Sequence, residues 1–276
     1  MDATFGVYYE KDSLIHKLDP RTKLLFMIVF LVSIFVAKDI FSYLLLIFVT
    51  VLSILISRVP FVVILKGLKP IFFIVIFTTI LNLFWTDGEK AVFECELFFG
   101  WTVKIYEESL IRAGVLALRI IILMAVTSLY FSYATTPIEL TDGIETGLAP
   151  LKKIKVPVHE FAMMMTIALR FIPTLVDETT KIMNAQKARG ADFSSGGLIK
   201  RAKALIPIII PLFVSAFRRA DELATAMECR CYRGGTNRTR MKVLKMKTKD
   251  YLFLVATACM FAGVILLNLF AKGYKI

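Results

Sequence analysis

Long apolar runs separated by short charged segments dominate the first half of the chain and return at its C-terminal end. They cover residues 24–37, 40–57, 71–86, 110–133 and 251–271. Because a membrane-spanning helix needs about 17–25 mainly apolar residues, the second and fifth runs qualify directly. The first and third qualify if they extend into their flanks, with Lys23 and Lys69 reaching to the membrane interface. The pattern therefore predicts about five transmembrane helices, and a sixth if residues 60–69 re-enter the membrane.

Basic residues are concentrated on one side of this predicted topology. With the N-terminus in the cytoplasm and the helices alternating, 27 of the 34 Lys and Arg residues lie on cytoplasmic segments and five lie outside. Cytoplasmic segments of membrane proteins carry such an excess. We therefore expect the N-terminus and residues 135–249 to be cytoplasmic and the C-terminus to be outside. The net charge of +12 then matches an anionic lipid surface, and we expect no nucleic-acid partner.

Two polar features accompany the predicted spans. Arg112 and Arg119 fall in the fourth apolar run, seven residues apart and hence on one face of a helix. Intramembrane arginine is costly and usually faces a partner, but the sequence does not identify the partner of Arg119. Between the third and fourth runs lies an acidic segment, residues 87–108, which we predict to be a solvated outside loop.

The segment 135–249 reads as three helices. Thr136 followed by Pro137 and Glu139 predicts a short helix that ends near Gly147. Two long helices, about 158–189 and 198–231, follow, and the prolines inside them are predicted to bend both. The predicted fold is therefore an all-α polytopic membrane protein with three parts: residues 1–134 with four spans, a cytoplasmic domain 135–249 of three helices, two of them long, and a C-terminal span 250–276.

Both long helices are apolar around more than one stripe. They are too broken by proline and charge to be confident spans, and too apolar to lie bare in the cytosol. We predict that they lie along the membrane surface and pack under another membrane protein. Clustered methionines suit a surface that accepts several partners, or alternatively fill the core of the chain itself. The candidate contact residues are Met163, Met164, Met165, Leu169, Phe213 and Phe217.

Each long helix is predicted to end on an arginine between small residues: Ala188-Arg189-Gly190 and Cys229-Arg230-Cys231. A helix C-terminus favours a cation, and a guanidinium can grip a carboxylate with two hydrogen bonds. Small neighbours let the backbone of a partner approach closely. The repetition predicts two tips that dock on a partner. The second tip lacks the glycine that commonly ends a helix, so we expect Gly234 and Gly235 to end it.

The chain shows no sign of its own catalysis. It lacks the Gly-rich loop with Lys-Ser/Thr that binds nucleotide phosphates, and we find no usable catalytic triad or carboxylate pair. Zinc sites need about four ligands, and only His16 and His159 accompany the four cysteines, so we expect no metal. Helix-spaced charges such as Arg219 and Glu222 are predicted to brace the cytoplasmic domain. We predict neither catalytic residues nor a cofactor.

Four stretches resemble the transmembrane (T) component of energy-coupling factor (ECF) transporters, the EcfT/CbiQ-like family. They are LDPRTKL at 18–24, LRFIPTL at 169–175, AQKARG at 185–190 and RADELATAMECRCY at 219–232. With the predicted spans around a cytoplasmic domain, the resemblance covers essentially the whole chain. The second tip departs from the Ala-Arg-Gly common in the family, because cysteines flank its arginine.

The resemblance implies a subunit of a larger transporter in a prokaryotic cell membrane, in which residues 135–249 form the coupling domain and its two long helices cross. Such a subunit joins a substrate-binding membrane protein, the S component, to two cytoplasmic ATPase subunits that bind the ATP. Arg189 and Arg230 would dock on the ATPases, and their movement would release a vitamin or other micronutrient inside the cell. The alternatives are a module shared by several S components, a component dedicated to cobalt or nickel uptake, and an independent channel or carrier. A carrier should show internal repeats and polar, broken helices at mid-membrane. The polar residues of this chain lie mainly in segment 135–249 instead, so the last alternative is disfavoured.

Overall fold

The computed structural model of the 276-residue chain describes residues 9, 11–85, 91–97, 101–193, 197–234 and 244–270. Its contacts divide the chain into two compact units. The membrane unit comprises Met1–Gly143 with Val243–Ile276, and the insertion unit comprises Ile144–Lys242. The functional boundaries predicted at residues 134 and 249 stay a prediction.

The membrane unit contains the predicted apolar helices. They are α1 (Pro20–Val36), α2 (Ile40–Ser57), α3 (Phe61–Trp85), α4 (Glu107–Thr127), which continues as a π-helical segment (Ser128–Tyr133), and, after the insertion unit, α8 (Thr248–Phe270). Among the described residues, three stretches are long and apolar enough to cross a membrane: Ile40–Ser57, Glu108–Tyr133 and Thr248–Phe270. The predicted all-α polytopic architecture is confirmed.

The other two predicted spans differ from these three. The two halves of α3, Phe61–Lys69 and Ile71–Asn82, are bent by 59° and meet the same criteria only when taken together. They join at Pro70, which supplies no amide hydrogen for the helix ladder. Helix α1 has 17 residues, at the lower end of the length that spans a bilayer. The total of five spans stays a prediction.

An aromatic cluster forms the centre of the membrane unit. Phe26 of α1 lies 4.7 Å from Tyr130 and 5.1 Å from Phe253 of α8, measured between ring centroids. Phe30, Ile34 and Leu46 are almost fully buried around it. Outward-facing side chains such as Phe73, 76% exposed, remain apolar, as expected for a lipid-facing surface.

Two predictions about the membrane unit are wrong. Lys23 does not reach to the interface: it is 2% exposed and its Nζ donates to backbone carbonyls. The predicted loop at residues 87–108 contains an antiparallel hairpin of β1 (Ala91–Leu97) and β2 (Trp101–Tyr106), in which Glu94 is paired with Lys104. Asp87 and Glu89 lie outside the described residues.

The insertion unit follows the predicted helical pattern closely. Helix α5 (Pro137–Gly147), within which the boundary between the units falls, begins after Thr136, whose Oγ1 accepts a hydrogen bond from the Glu139 amide at 3.3 Å. A 3₁₀ turn (Ala149–Ile154) leads to α6 (Val158–Ala188), and α7 (Leu198–Cys229) follows. Internal prolines interrupt neither long helix.

Candidate partner-docking site

Helix α6 ends at the first predicted tip in a Schellman motif. Arg189 is the C-cap residue, and Gly190 takes a left-handed conformation with φ of 85°. The Gly190 amide donates to the Lys187 carbonyl at 2.9 Å, and the Ala191 amide donates to the Gln186 carbonyl at 3.0 Å. These bonds satisfy carbonyls that the helix end would otherwise leave open.

Helix α7 ends in the same motif. Arg230 is the C-cap residue, and the Cys231 amide donates to the Glu228 carbonyl at 2.8 Å. The Tyr232 amide donates to the Met227 carbonyl at 3.1 Å. Both arginines thus occupy the same position in the same backbone motif, which the tripeptide sequences alone indicate only weakly.

The expectation that Gly234 and Gly235 end the second helix is wrong. Cys231 itself takes the left-handed conformation, with φ of 55°, where the first tip has Gly190. Gly234 also has a positive φ, but it comes after the helix has ended. Gly235 lies outside the described residues. A side chain in this conformation costs about 1–2 kcal/mol, and here the hydrogen-bond pattern of the helix end imposes it.

The tips are solvent-accessible and positively charged. All six residues of the two tripeptides are exposed: Ala188, Arg189, Gly190, Cys229, Arg230 and Cys231. Among the described residues, neither arginine takes part in an ion pair. Each guanidinium is therefore available to an acidic partner, and the negative end of each helix dipole stabilises the charge.

The two helices that carry the tips are joined by one carboxylate. Glu178 of α6 accepts a hydrogen bond from Ser215 Oγ at 2.5 Å and one from Arg219 Nη2 at 3.0 Å, both on α7. The hydroxyl and the guanidinium lower the pKa of Glu178, so this carboxyl is ionised at neutral pH. The predicted pairing of Arg219 with Glu222 is wrong, because Arg219 faces α6 instead.

Helix α7 is apolar both beside α6 and beyond it. Ala216, Ala220 and Ala224 line a groove of about 240 Å³ together with Ile167, Phe171 and Leu175 of α6. Phe213 and Phe217, on the same side of the helix but nearer its N-terminal half, are 62% and 63% exposed and contact each other edge to face. On α6, Met164 and Met165 are 56% and 42% exposed. Met163 and Leu169 are partly buried.

Sequence reasoning missed the residues that organise these elements. Glu178 gave no signal, because its partners are distant in sequence. In the membrane unit, Arg119 of α4 donates to the hydroxyl of Tyr43, a residue of α2 that is 3% exposed. A tyrosine inside an apolar run is the only sequence signal of that partner, and it is a weak one.

Comparisons with known proteins cover nearly the whole chain. The profile of the CbiQ family, described as "Cobalt transport protein", matches residues 11–241. The chain is 54% identical to the energy-coupling factor transporter transmembrane protein EcfT of Clostridium kluyveri, over 94% of this chain and 93% of that protein. It is 48% identical to EcfT of Lactococcus lactis, over 97% of both chains, and 47% identical to EcfT of Bacillus subtilis, over 91% and 92%. The chain therefore belongs to the CbiQ family of membrane transport proteins, together with the EcfT proteins.

Proposed function

We propose that this chain is the T component of an energy-coupling factor transporter and that its two Arg tips dock on two cytoplasmic ATPase subunits. The observation that carries the proposal is the matched geometry: Arg189 and Arg230 cap their helices in the same motif, exposed and without an ion pair in the described structure. The EcfT name of the relatives supports membership of a multi-subunit transporter.

The energy in this proposal comes from the partners. ATP binds to the ATPase subunits, and their movement reaches the insertion unit through the tips. The Glu178 carboxylate joins α6 to α7, so the two tips move as parts of one body. The S component binds the vitamin or micronutrient and contacts the apolar faces that carry Met163, Met164, Met165, Leu169, Phe213 and Phe217.

The orientation in this proposal places the N-terminus and the tips in the cytoplasm and the C-terminus outside. Cys229 and Cys231 are exposed free thiols, so they report the side of the membrane on which the second tip lies. In a Cys95→Ser background, a membrane-impermeant maleimide should label them only after cells are permeabilised. Labelling in intact cells would reverse the orientation.

Co-purification tests the docking step. A tagged wild-type chain should recover two ATPases, while Arg189→Glu and Arg230→Glu should each weaken recovery by an amount that corresponds to at least about 2 kcal/mol, as for a charged residue at the centre of an interface. Arg218→Glu, an exposed reversal on α7 away from the tips, serves as the control and should retain recovery. Full recovery and normal uptake by the Arg189→Glu/Arg230→Glu double variant would refute the docking role.

A component dedicated to cobalt or nickel is the second candidate, which the description of the matching family favours. The two candidates differ in their membrane partners. A shared module should be recovered with several different small membrane proteins, whereas a dedicated component should be recovered with one set and should support uptake of radioactive cobalt or nickel.

A further inference from the structure

The start of α1 is tied to both places where the chain passes between the membrane unit and the insertion unit. Ala134 and Gly143 lie on the outgoing connection, and Lys247 and Asp250 lie on the returning one. We name the contacts of residues 16–24 with these two connections the N-terminal clamp. All of its residues belong to the membrane unit.

The outgoing connection is held by a buried ammonium. Lys23 Nζ donates to the Ala134 carbonyl at 2.8 Å and to the His16 carbonyl at 3.2 Å. Ala134 directly follows the π-helical segment, whose terminal carbonyls need donors. A cation at a helix C-terminus is also favoured by the dipole. Lys23 therefore fixes the position from which the chain leaves the membrane unit.

A second contact on the same connection depends on a glycine. A Cβ on Gly143 would lie 3.0 Å from Pro20 Cβ and 3.1 Å from Leu24 Cδ1. These distances are shorter than an ordinary contact, so a side chain at position 143 would require its neighbours on α1 to shift by a few tenths of an ångström.

The π-helical segment Ser128–Tyr133 lies directly before the outgoing connection, which leads into α5. Such segments are frequent at functional sites.

The returning connection is held by a carboxylate. Asp250, 2% exposed at the start of α8, accepts from the Asp19 amide at 2.8 Å through Oδ1 and from the Lys247 amide at 2.7 Å through Oδ2. The carboxylate of Asp250 thus joins the first turn of α8 to the N-cap residue of α1. Within the first turn of α1, Asp19 thus contacts the returning connection, whereas Pro20 and Lys23 contact the outgoing one.

We propose that Lys23, Asp250 and Gly143 are positioning residues that pass movement of the insertion unit to α1. Helix α5 continues past Gly143 into the insertion unit, so a displacement of α5 reaches the turn of α1 against which Gly143 packs, and Asp250 holds the start of α8 to the same turn. This inference rests on the proposed function, since it needs an insertion unit that the ATPases move. It predicts that loosening the clamp separates ATP hydrolysis from transport.

The test uses the complete transporter, with its ATPases and an S component, in proteoliposomes. Lys23→Met removes the ammonium, Asp250→Asn keeps the shape of the side chain, and Gly143→Ala crowds the contact between α5 and α1. The matched control is Lys17→Met, whose side chain is 61% exposed in the same segment. For the clamp variants we expect normal recovery of the ATPases and near-normal ATP hydrolysis. Substrate transported per ATP should fall about tenfold, the size expected when a buried charged hydrogen bond is lost.

Each outcome decides the proposal. Unchanged transport per ATP in an assembled Lys23→Met or Asp250→Asn complex would overturn it. Failure of both variants to assemble would also overturn it, because the contacts would then serve folding alone. Failure of the wild-type chain to recover ATPases is a different result, and it would refute the proposed function rather than the clamp.

Discussion

Arg219 of α7 donates to Glu178 of α6 with 3.0 Å between Nη2 and Oε2. Ser215 Oγ donates a hydrogen bond to the other carboxylate oxygen of Glu178, Oε1. One side chain of α6 thus accepts from two successive turns of α7, which fixes the two helices along their axes as well as against each other.

Neutralising Glu178 should loosen the pairing of α6 with α7. Glu178→Gln and Arg219→Gln should each lower the thermal unfolding midpoint of the purified chain, and the double variant should lie no lower than the worse single variant. Glu222→Gln, an exposed carboxylate on α7, is the control and should leave the midpoint unchanged. Fully additive losses would show that Glu178 and Arg219 act independently.

The same carboxylate gives the pairing a pH dependence. The pKa of Glu178 is lowered from its usual 4.5, so its contribution to stability is complete above pH 4.5. The contribution is lost as the pH falls from 4.5 through the lowered pKa. The difference in midpoint between wild type and Glu178→Gln should therefore be constant near neutral pH and shrink in acid. A difference that grows in acid would contradict this sign.

The second helix end offers a stabilising substitution. Cys231→Gly should raise stability by about 1 kcal/mol, because glycine takes the left-handed conformation without the steric cost of a side chain. Cys231→Val should lower it, since a β-branched residue tolerates φ of 55° poorly. Cys229→Ala, in the regular helix, is the control with little expected effect. Thermal midpoints of the purified variants measure all three, and equal midpoints for Gly and Val would refute the strain.

The sequence predicted the elements that depend on local patterns. The Thr136 cap, the start of α6 at Val158 and the end of α6 at Arg189 all follow from short-range signals that the structure confirms. It did not predict Lys23, Glu178 or Tyr43 correctly, because each binds a group that is distant along the chain. The left-handed Cys231 was missed for another reason: the expectation of glycine is statistical, whereas the hydrogen bonds of the helix end decide the conformation.

Acidification should weaken the N-terminal segment through His16. Its Nε2 lies 3.1 Å from the Tyr133 carbonyl oxygen, so the neutral ring already donates there. Burial lowers the pKa of His16 below 6.5, and the charge of Lys23 lowers it further against the opposing effects of the carbonyls and Glu139. Because the pKa of His16 is lowered in the folded state, the contribution of the neutral ring to the free energy of unfolding is complete above pH 6.5. That contribution is lost as the pH falls through the folded-state pKa.

His16→Gln tests this dependence. Between neutral and mildly acidic pH, the thermal midpoint of the variant should fall less than that of the wild-type chain. Leu14→Gln, at a 57% exposed position of the same segment, changes no titratable group and is the control that should keep the wild-type pH dependence. An unchanged dependence in His16→Gln would assign the acid sensitivity to another group.

Asp39 carries a buried carboxylate that lacks a hydrogen-bond partner in the described part of the membrane unit. It is 1% exposed at the N-cap of α2, and neither of its carboxylate oxygens has a hydrogen-bond partner among the residues that the structure describes. Asp39→Asn removes the charge at almost constant shape, and we expect the thermal midpoint to rise, because an unpaired buried charge costs more than an unpaired buried amide. Asp19→Ala is the contrasting variant: it removes the carboxylate that accepts from the Arg21 amide at 3.0 Å, so its midpoint should fall. If both substitutions lower the thermal midpoint equally, the Asp39 carboxylate stabilises the fold and the expectation is wrong.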